Sequence, residues 1–257
     1  MWRERVMKKM NWLIYATQGD PALSHAVREL ENRGISVTDS PGERVTHLLL
    51  PVPCRLSGAA LMDILYQLPK KVTVLGGFLD RPELAGHRCI DLLKDPRYLA
   101  KNAMITAYCA LELAQSQLSV TWEDCPVLIL GWGRIGKCLG SLLKALGAQV
   151  SIAARKEADL AMIAALGCDG RDIGSLDYIL RRYRVIFNTV PSPILSKAQA
   201  GLCREDCILV ELASSPGMEA PNIIDGRGLP GKLAPESAGK LIARTIMGLW
   251  AREEEPM

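Results

Sequence analysis

The stretch from Val127 to Gly147 reads Val-Leu-Ile-Leu-Gly-Trp-Gly-Arg-Ile-Gly-Lys-Cys-Leu-Gly-Ser-Leu-Leu-Lys-Ala-Leu-Gly. Val127–Leu130 is an unbroken apolar run behind Pro126, the pattern of a strand buried on both faces in a parallel sheet. It runs straight into Gly131, Gly133 and Gly136, a G-x-G-x-x-G spacing. The first glycine of that spacing allows a tight turn, the second lets a pyrophosphate approach the backbone, and the third lets helix and strand pack closely. Leu139, Leu142, Leu143 and Leu146 then fall on one helical face, and Gly147 is a natural stop. A second strand, Gln149–Ala153, comes where a βαβ unit needs it. Glycine triplets also occur in ordinary turns, but this one follows a buried strand and opens an amphipathic helix. The stretch therefore predicts a dinucleotide-binding loop, with Trp132, Arg134 and Ile135 completing it and the helix N-terminus facing the phosphates. Arg134 is the candidate side chain for the pyrophosphate.

The end of the second strand decides between cofactors. An NAD site carries a carboxylate there, about 20 residues after the glycines, to hold the ribose hydroxyls. Here the strand ends Ala153-Ala154-Arg155-Lys156. A small residue stands at the acid's place, which removes repulsion of a 2′-phosphate, and Arg155 offers a planar fork to bind one. The residues favour NADP, with NAD as the alternative and a solvated pair of loop charges as the plainer reading of Arg155 and Lys156.

Composition narrows the function classes. Of 257 residues, 49% are hydrophobic and 23% charged, which is ordinary globular material. A net charge of +3, with Lys and Arg scattered, gives no basic stripe for nucleic acid, and no window approaches a membrane span. Met1–Met10 is charged but followed only by the short apolar run Trp12–Ala16, so no signal peptide is expected. The 8 cysteines are dispersed, which points to reduced thiols in a cytoplasmic protein. Cys203 and Cys207 lie four apart without a second Cys or His pair, so no metal site is expected.

Taken in order, the chain predicts an α/β protein of two domains. Trp12–Ala16 reads as a strand, Asp20 as the cap of a helix with Pro21 in its first turn, and Ile35–Val37, Leu48–Val52 and Val72–Leu75 as further strands around a helix from Ser57 to Leu68. That order implies a flavodoxin-like parallel α/β domain over residues 1–119, ending in a long interdomain helix from Tyr98 to Leu118. Gly76-Gly77 reads as a turn or as a ligand-facing strand end. Residues 120–257 then form a Rossmann dinucleotide-binding domain, with helices at Ala158–Leu166 and Ser175–Arg182 and strands at Val185–Asn188 and Ile208–Leu212. A turn follows at Leu229-Pro230-Gly231, then a closing helix at Glu236–Trp250 and a frayed tail from Arg252. Thr189, Val190 and Pro191 should sit at the carboxyl edge of that sheet against the nucleotide.

Leu-Gly-Trp-Gly-Arg-Ile-Gly (130–136), Ala-Ala-Arg (153–155), Asn-Thr-Val-Pro-Ser (188–192), Leu-Ala-Ser-Ser-Pro-Gly (212–217) and Gly-Leu-Pro-Gly-Lys-Leu-Ala-Pro-Glu-Ser-Ala-Gly (228–239) together resemble the dipicolinate synthase A family of bacteria, one of the two subunit types of that synthase. The resemblance implies a two-domain NADP-dependent dehydrogenase of sporulating bacteria. It implies a partner subunit, the flavoprotein-like dipicolinate synthase B, as well as self-association, and a dihydrodipicolinate-type dicarboxylate that is oxidised to dipicolinate. Ser215, Tyr108 and Glu236 stand where that family usually has arginine, glutamate and lysine. A wider resemblance runs to D-2-hydroxy-acid dehydrogenases, which use an arginine and a histidine paired with an acid. Here all three histidines, His25, His47 and His87, lie in the first domain.

Aromatising a dihydropyridine asks mainly that substrate and cofactor be held together. Candidate substrate contacts are Ser192, Ser214 and Ser215, with Thr106 on the interdomain helix and Glu236 at the start of the last helix. Each is equally readable as a cap or turn residue. No general base is legible. The alternatives are an NADP-binding module that supports a partner without turnover, and a hydroxy-acid-type dehydrogenase in which Glu236 or Tyr108 titrates far from its ordinary range.

Overall fold

The computed structural model describes residues 12–253. The segment read above as lacking a signal peptide lies outside the described residues, as does the tail beyond Glu253. The chain divides into two compact units. One runs to Asn102 and takes up the chain again from Ala234, and the other is Ala103–Leu233.

In the first unit, β1 (Leu13–Ala16), α1 (Pro21–Asn32), β2 (Ser36–Thr38), β3 (His47–Leu49), α2 (Gly58–Leu65), β4 (Thr73–Gly76) and β5 (Cys89–Asp91) build a sheet of order β2-β1-β3-β4-β5. Every pairing in it is parallel, which is the flavodoxin-like order. Asp20 caps α1 by accepting the N–H of Leu23 at 2.9 Å, and Pro21 sits where its missing N–H is not needed. Ser57 does the same for α2 through Ala60.

The last helix, α8 (Pro235–Glu253), corrects the expected domain division. It joins the first unit instead of closing the second. Ile242, Ala243 and Ile246 share one core with Leu23, Ala26 and Leu30 of α1. Gly239 permits that packing, since a Cβ there would run into the carbonyl oxygen of Ala22 and would stand 2.6 Å from His25 Cβ and 2.8 Å from Ala26 N. The division itself falls inside the long helix α3 (Pro96–Gln115), not at residue 119.

The second unit contains β6 (Pro126–Leu130), α4 (Arg134–Ala145), β7 (Gln149–Ala154), α5 (Glu157–Ala165), β8 (Asp169–Asp172), β9 (Val185–Asn188), α6 (Lys197–Ala200), β10 (Ile208–Glu211), β11 (Ile223–Asp225) and α7 (Leu229–Leu233). Its sheet order is β11-β10-β9-β6-β7-β8, all parallel, the doubly wound dinucleotide-binding order. Val127, Leu128, Ile129 and Leu130 are wholly buried, as a central parallel strand requires. The inner face of α4 is Gly136, Leu139, Gly140 and Leu143, while Leu146 is its C-cap and 47% exposed, so the apolar face is narrower than the leucine spacing suggested. Ser175–Arg182 is not a helix but a turn and one 3₁₀ turn at Leu180–Arg182.

Candidate functional site

The strand order reverses at β6, whose neighbours are β7 on one side and β9 on the other. Ligands of open parallel sheets bind outside the carboxyl ends of the strands at such a point. Gly131 lies there with φ +102°, its N–H donating to Ala153 O at 2.9 Å. A Cβ on it would stand 2.6 Å from Thr189 Oγ1 and 2.8 Å from Val190 Cγ2, so the turn admits only glycine. A Cβ at Gly136 would strike the carbonyl oxygen of Gly131, which is the close helix-to-loop approach expected of the third glycine.

Gly133 is different in kind. Its φ of −79° and ψ of −169° suit any residue, and a Cβ there would meet no protein atom within 4 Å. It caps α4 without any side-chain bond to the helix N–H groups, and Arg134 beside it is exposed. A glycine that neither the backbone nor the packing demands, at the open N-terminus of a helix, fits a site that a pyrophosphate enters. Trp132 and Ile135 are half-buried on either side, and Lys137 Nζ stands 5.5 Å from the Trp132 ring centroid.

At the end of β7, Ala153 and Ala154 are buried, while Arg155 and Lys156 are exposed. Lys156 is the N-cap of α5 and makes no side-chain capping bond. Glu157 and Asp159 follow in the first turn, where acids are favoured. The end of β7 is thus a small buried residue followed by two solvent-facing cations, with no carboxylate between Ala153 and Lys156.

Two loops complete the carboxyl edge. Thr189 is fastened to β6, its N–H and its hydroxyl both donating to Leu130 O, at 2.9 and 2.8 Å. Val190 is half-buried, and Pro191, Ser192, Ser214 and Ser215 are exposed. The sequence reading missed what holds these loops, namely Asn188 and Glu211, which end β9 and β10 in register. Both are buried, and Asn188 Nδ2 donates to the two Glu211 carboxylate oxygens at 2.8 and 3.1 Å. The signal was available, since two buried strands each finish on a polar residue.

Thr106, also in the second unit, is buried within α3, and Tyr108 is 58% exposed. Glu236 belongs to the first unit, in the first turn of α8, where Lys240 donates to it. The Lys240 ammonium holds the Glu236 carboxyl below the usual carboxylate range, which is the wrong direction for a base working near neutral pH. Gly76 and Gly77 serve packing: Cβ atoms there would stand 3.0 Å from Leu50 Cβ and 2.8 Å from Val52 Cγ1. Beyond them a cavity of about 400 Å³ is lined by Cys54, Phe78, Asp80, Arg81, Asp91 and Lys94. Arg81 is committed there, donating to Leu56 O at 2.8 Å and pairing with Glu83 at 3.1 Å. Among the described residues there is no cluster of His, Cys, Asp and Glu that could hold a metal, and no helix long and apolar enough to cross a membrane.

No protein-family model matches the chain. Dipicolinate synthase A of Bacillus subtilis is 29% identical over 158 residues, which span 58% of this chain and 53%, about half, of that protein. The crystal structure of dipicolinate synthase A from Bacillus halodurans superposes with a TM-score of 0.80 at 21% identity, covering 94% of this chain and 99% of that one. The transhydrogenase of Sinorhizobium meliloti gives 0.73 at 14% identity, covering 94% of each. The chain is therefore similar to dipicolinate synthase A in sequence, and it shares its fold with that protein and with Rossmann-type dehydrogenases.

Proposed function

We propose that the chain is an NADP-dependent oxidoreductase of the dipicolinate synthase A type, which oxidises a dihydrodipicolinate-type intermediate to dipicolinate in the cytoplasm of a spore-forming bacterium. The observation that carries this reading is Gly133, a glycine without a structural need at the N-terminus of α4, next to a β7 that ends in Ala154, Arg155 and Lys156. The likeness to dipicolinate synthase A of Bacillus subtilis supports the choice of reaction. That relative is named as one subunit of its synthase, which supports a partner of the dipicolinate synthase B type.

The N–H groups at the start of α4, with Arg134, bind the pyrophosphate, and Arg155 and Lys156 bind the 2′-phosphate. Thr189, Val190 and Pro191 border the nicotinamide half. Bound NADP supplies a hydride acceptor. The substrate ring loses a hydride from one carbon and a proton from a neighbouring one, and the gain of aromaticity drives both, so the chain has only to hold the dicarboxylate in place. The hydroxyls of Ser192, Ser214 and Ser215 are the donors for its carboxylates. Glu236, already paired with Lys240, takes no part in moving the proton. The same pairing argues against a hydroxy-acid dehydrogenase, which needs a base titrating near neutral pH.

A second reading, a cofactor-binding module without turnover, draws support from the loops after β9 and β10, which expose hydroxyls at Ser192, Ser214 and Ser215, the last of these where the resembled family usually has an arginine. Supplying freshly generated dihydrodipicolinate-pathway intermediate and NADP, with and without a dipicolinate synthase B homologue, separates the two. Matched formation of NADPH and dipicolinate is expected. Binding of NADP without turnover in either mixture would leave only the module.

A further inference from the structure

Asn188 is wholly buried and Glu211 is 3% exposed, an arrangement that is unfavourable for a carboxylate unless donors surround it. They do. Besides the Asn188 amide, Glu211 accepts the N–H of Ala213 at 3.0 Å on one oxygen, and those of Gly217 at 2.8 Å and Met218 at 3.3 Å on the other. Asn188 in turn donates to Val190 O at 3.1 Å and accepts from Val190 N at 2.9 Å. The two loops are then zipped together, with Ile194 N and Leu195 N donating to Gly217 O at 2.7 and 3.1 Å. Gly217 closes the arrangement, for a Cβ there would stand 2.5 Å from Ser192 O and 2.6 Å from Asn188 Nδ2.

Thr189 is anchored separately, on Leu130 O. The Thr189 side of Gly131 is therefore set without Glu211, whereas Val190 on its other side is reached by Glu211 through Asn188. With the pyrophosphate at α4 and the adenosine ribose at the end of β7, the other half of a dinucleotide runs over the ends of β9 and β10, where Glu211 sets the loops.

We propose that Glu211 is a positioning residue for the nicotinamide half of the cofactor. Through Asn188 and the backbone N–H groups of Ala213, Gly217 and Met218 it shapes the two loops that border the nicotinamide, and it has no part in holding the adenosine half. The inference rests on the cofactor reading above.

Glu211→Gln keeps the side chain's size but turns an NH2 group toward backbone donors. NADPH and 2′-phospho-ADP-ribose, which lacks the nicotinamide, are titrated calorimetrically into wild type and variant, with NADH and ADP-ribose as a second pair. The expected result is a loss of about tenfold or more in dinucleotide affinity, the scale of one charge-assisted hydrogen bond, with the fragment bound within about twofold of wild type. A parallel loss for both ligands would mean that Glu211 only holds the fold, and no loss for either would mean that the loops do not touch the nicotinamide half. Either overturns the proposal. Should Glu211→Gln fail to fold, Gly217→Ala presses on the same loops while leaving the carboxylate, and the same comparison applies. A wild type that binds none of the four ligands would instead overturn the cofactor reading, and this inference with it.

Discussion

Gly133→Ala separates the demands of the fold from those of a ligand. The new methyl would meet no protein atom within 4 Å, and the backbone angles there suit alanine, so no overpacking follows. The one structural penalty is the poorer N-cap, about 0.5–1 kcal/mol. A pyrophosphate held by the N–H groups of α4 would have to draw back from that methyl. Losing one charge-assisted hydrogen bond costs about 1.5–3 kcal/mol, or roughly 10- to 100-fold in affinity. Fluorescence titration with NADPH, alongside a urea midpoint, reads both quantities. The expected outcome is a nearly unchanged midpoint with strongly weakened binding. Gly136→Ala, whose Cβ strikes the Gly131 carbonyl, should lose stability and binding together. If Gly133→Ala binds NADPH as wild type does, the pyrophosphate does not lie against Gly133.

Three further outcomes follow from other parts of the molecule. Arg155→Ala should weaken NADPH by roughly 10- to 100-fold and leave NADH unchanged, and equal losses for the two would show that Arg155 does not read the 2′-phosphate. Gly239→Val should lower the stability of the first unit by about 1–3 kcal/mol in urea unfolding, because its side chain would meet the backbone of α1 at Ala22 and Ala26; a wild-type midpoint would contradict the α1–α8 packing. Hydrogen bonds from Arg227 hold the Asp225 carboxyl down at about 2. Its contribution is therefore complete above the ordinary aspartate range near pH ~4 and is lost as pH falls through about 2, and since the pair is largely exposed it amounts to at most about 1 kcal/mol. Carboxyl-carbon NMR should show the low midpoint, and a midpoint in the ordinary aspartate range would refute it.

How much of this was legible in the sequence depended on whether a residue's neighbours in the chain are also its neighbours in space. The β6 strand, its glycine loop and α4 form one local unit, so apolar run, glycine spacing and helical period agree and could be read directly. The strand β8, Asp169–Asp172, carries no apolar residue, because it is an edge strand whose Asp169 is tied to Ser151 and Arg171, and it could not be seen as a strand. Leu176, Ile179, Leu180 and Tyr183 are spaced like a helix face and are all buried, yet turns deliver them to the core. That spacing misled because burial at three- and four-residue intervals does not require a helix. The last helix follows directly on the second unit in sequence, whereas Gly239 and Ile242 fit against α1, some two hundred positions away. Glu211 shows in the sequence only as a polar end to a buried strand; what it holds does not show, because its partners come from another strand and from a loop that turns back on it.

A crystal structure of the chain with NADPH tests the proposed cofactor site most directly. The pyrophosphate is expected on the N–H groups at the start of α4 beside Gly133, the 2′-phosphate on Arg155, and the nicotinamide over the loops that Glu211 holds. A dinucleotide bound elsewhere, or one lying on the glycine loop with its 2′-phosphate turned away from Arg155 and Lys156, would contradict it.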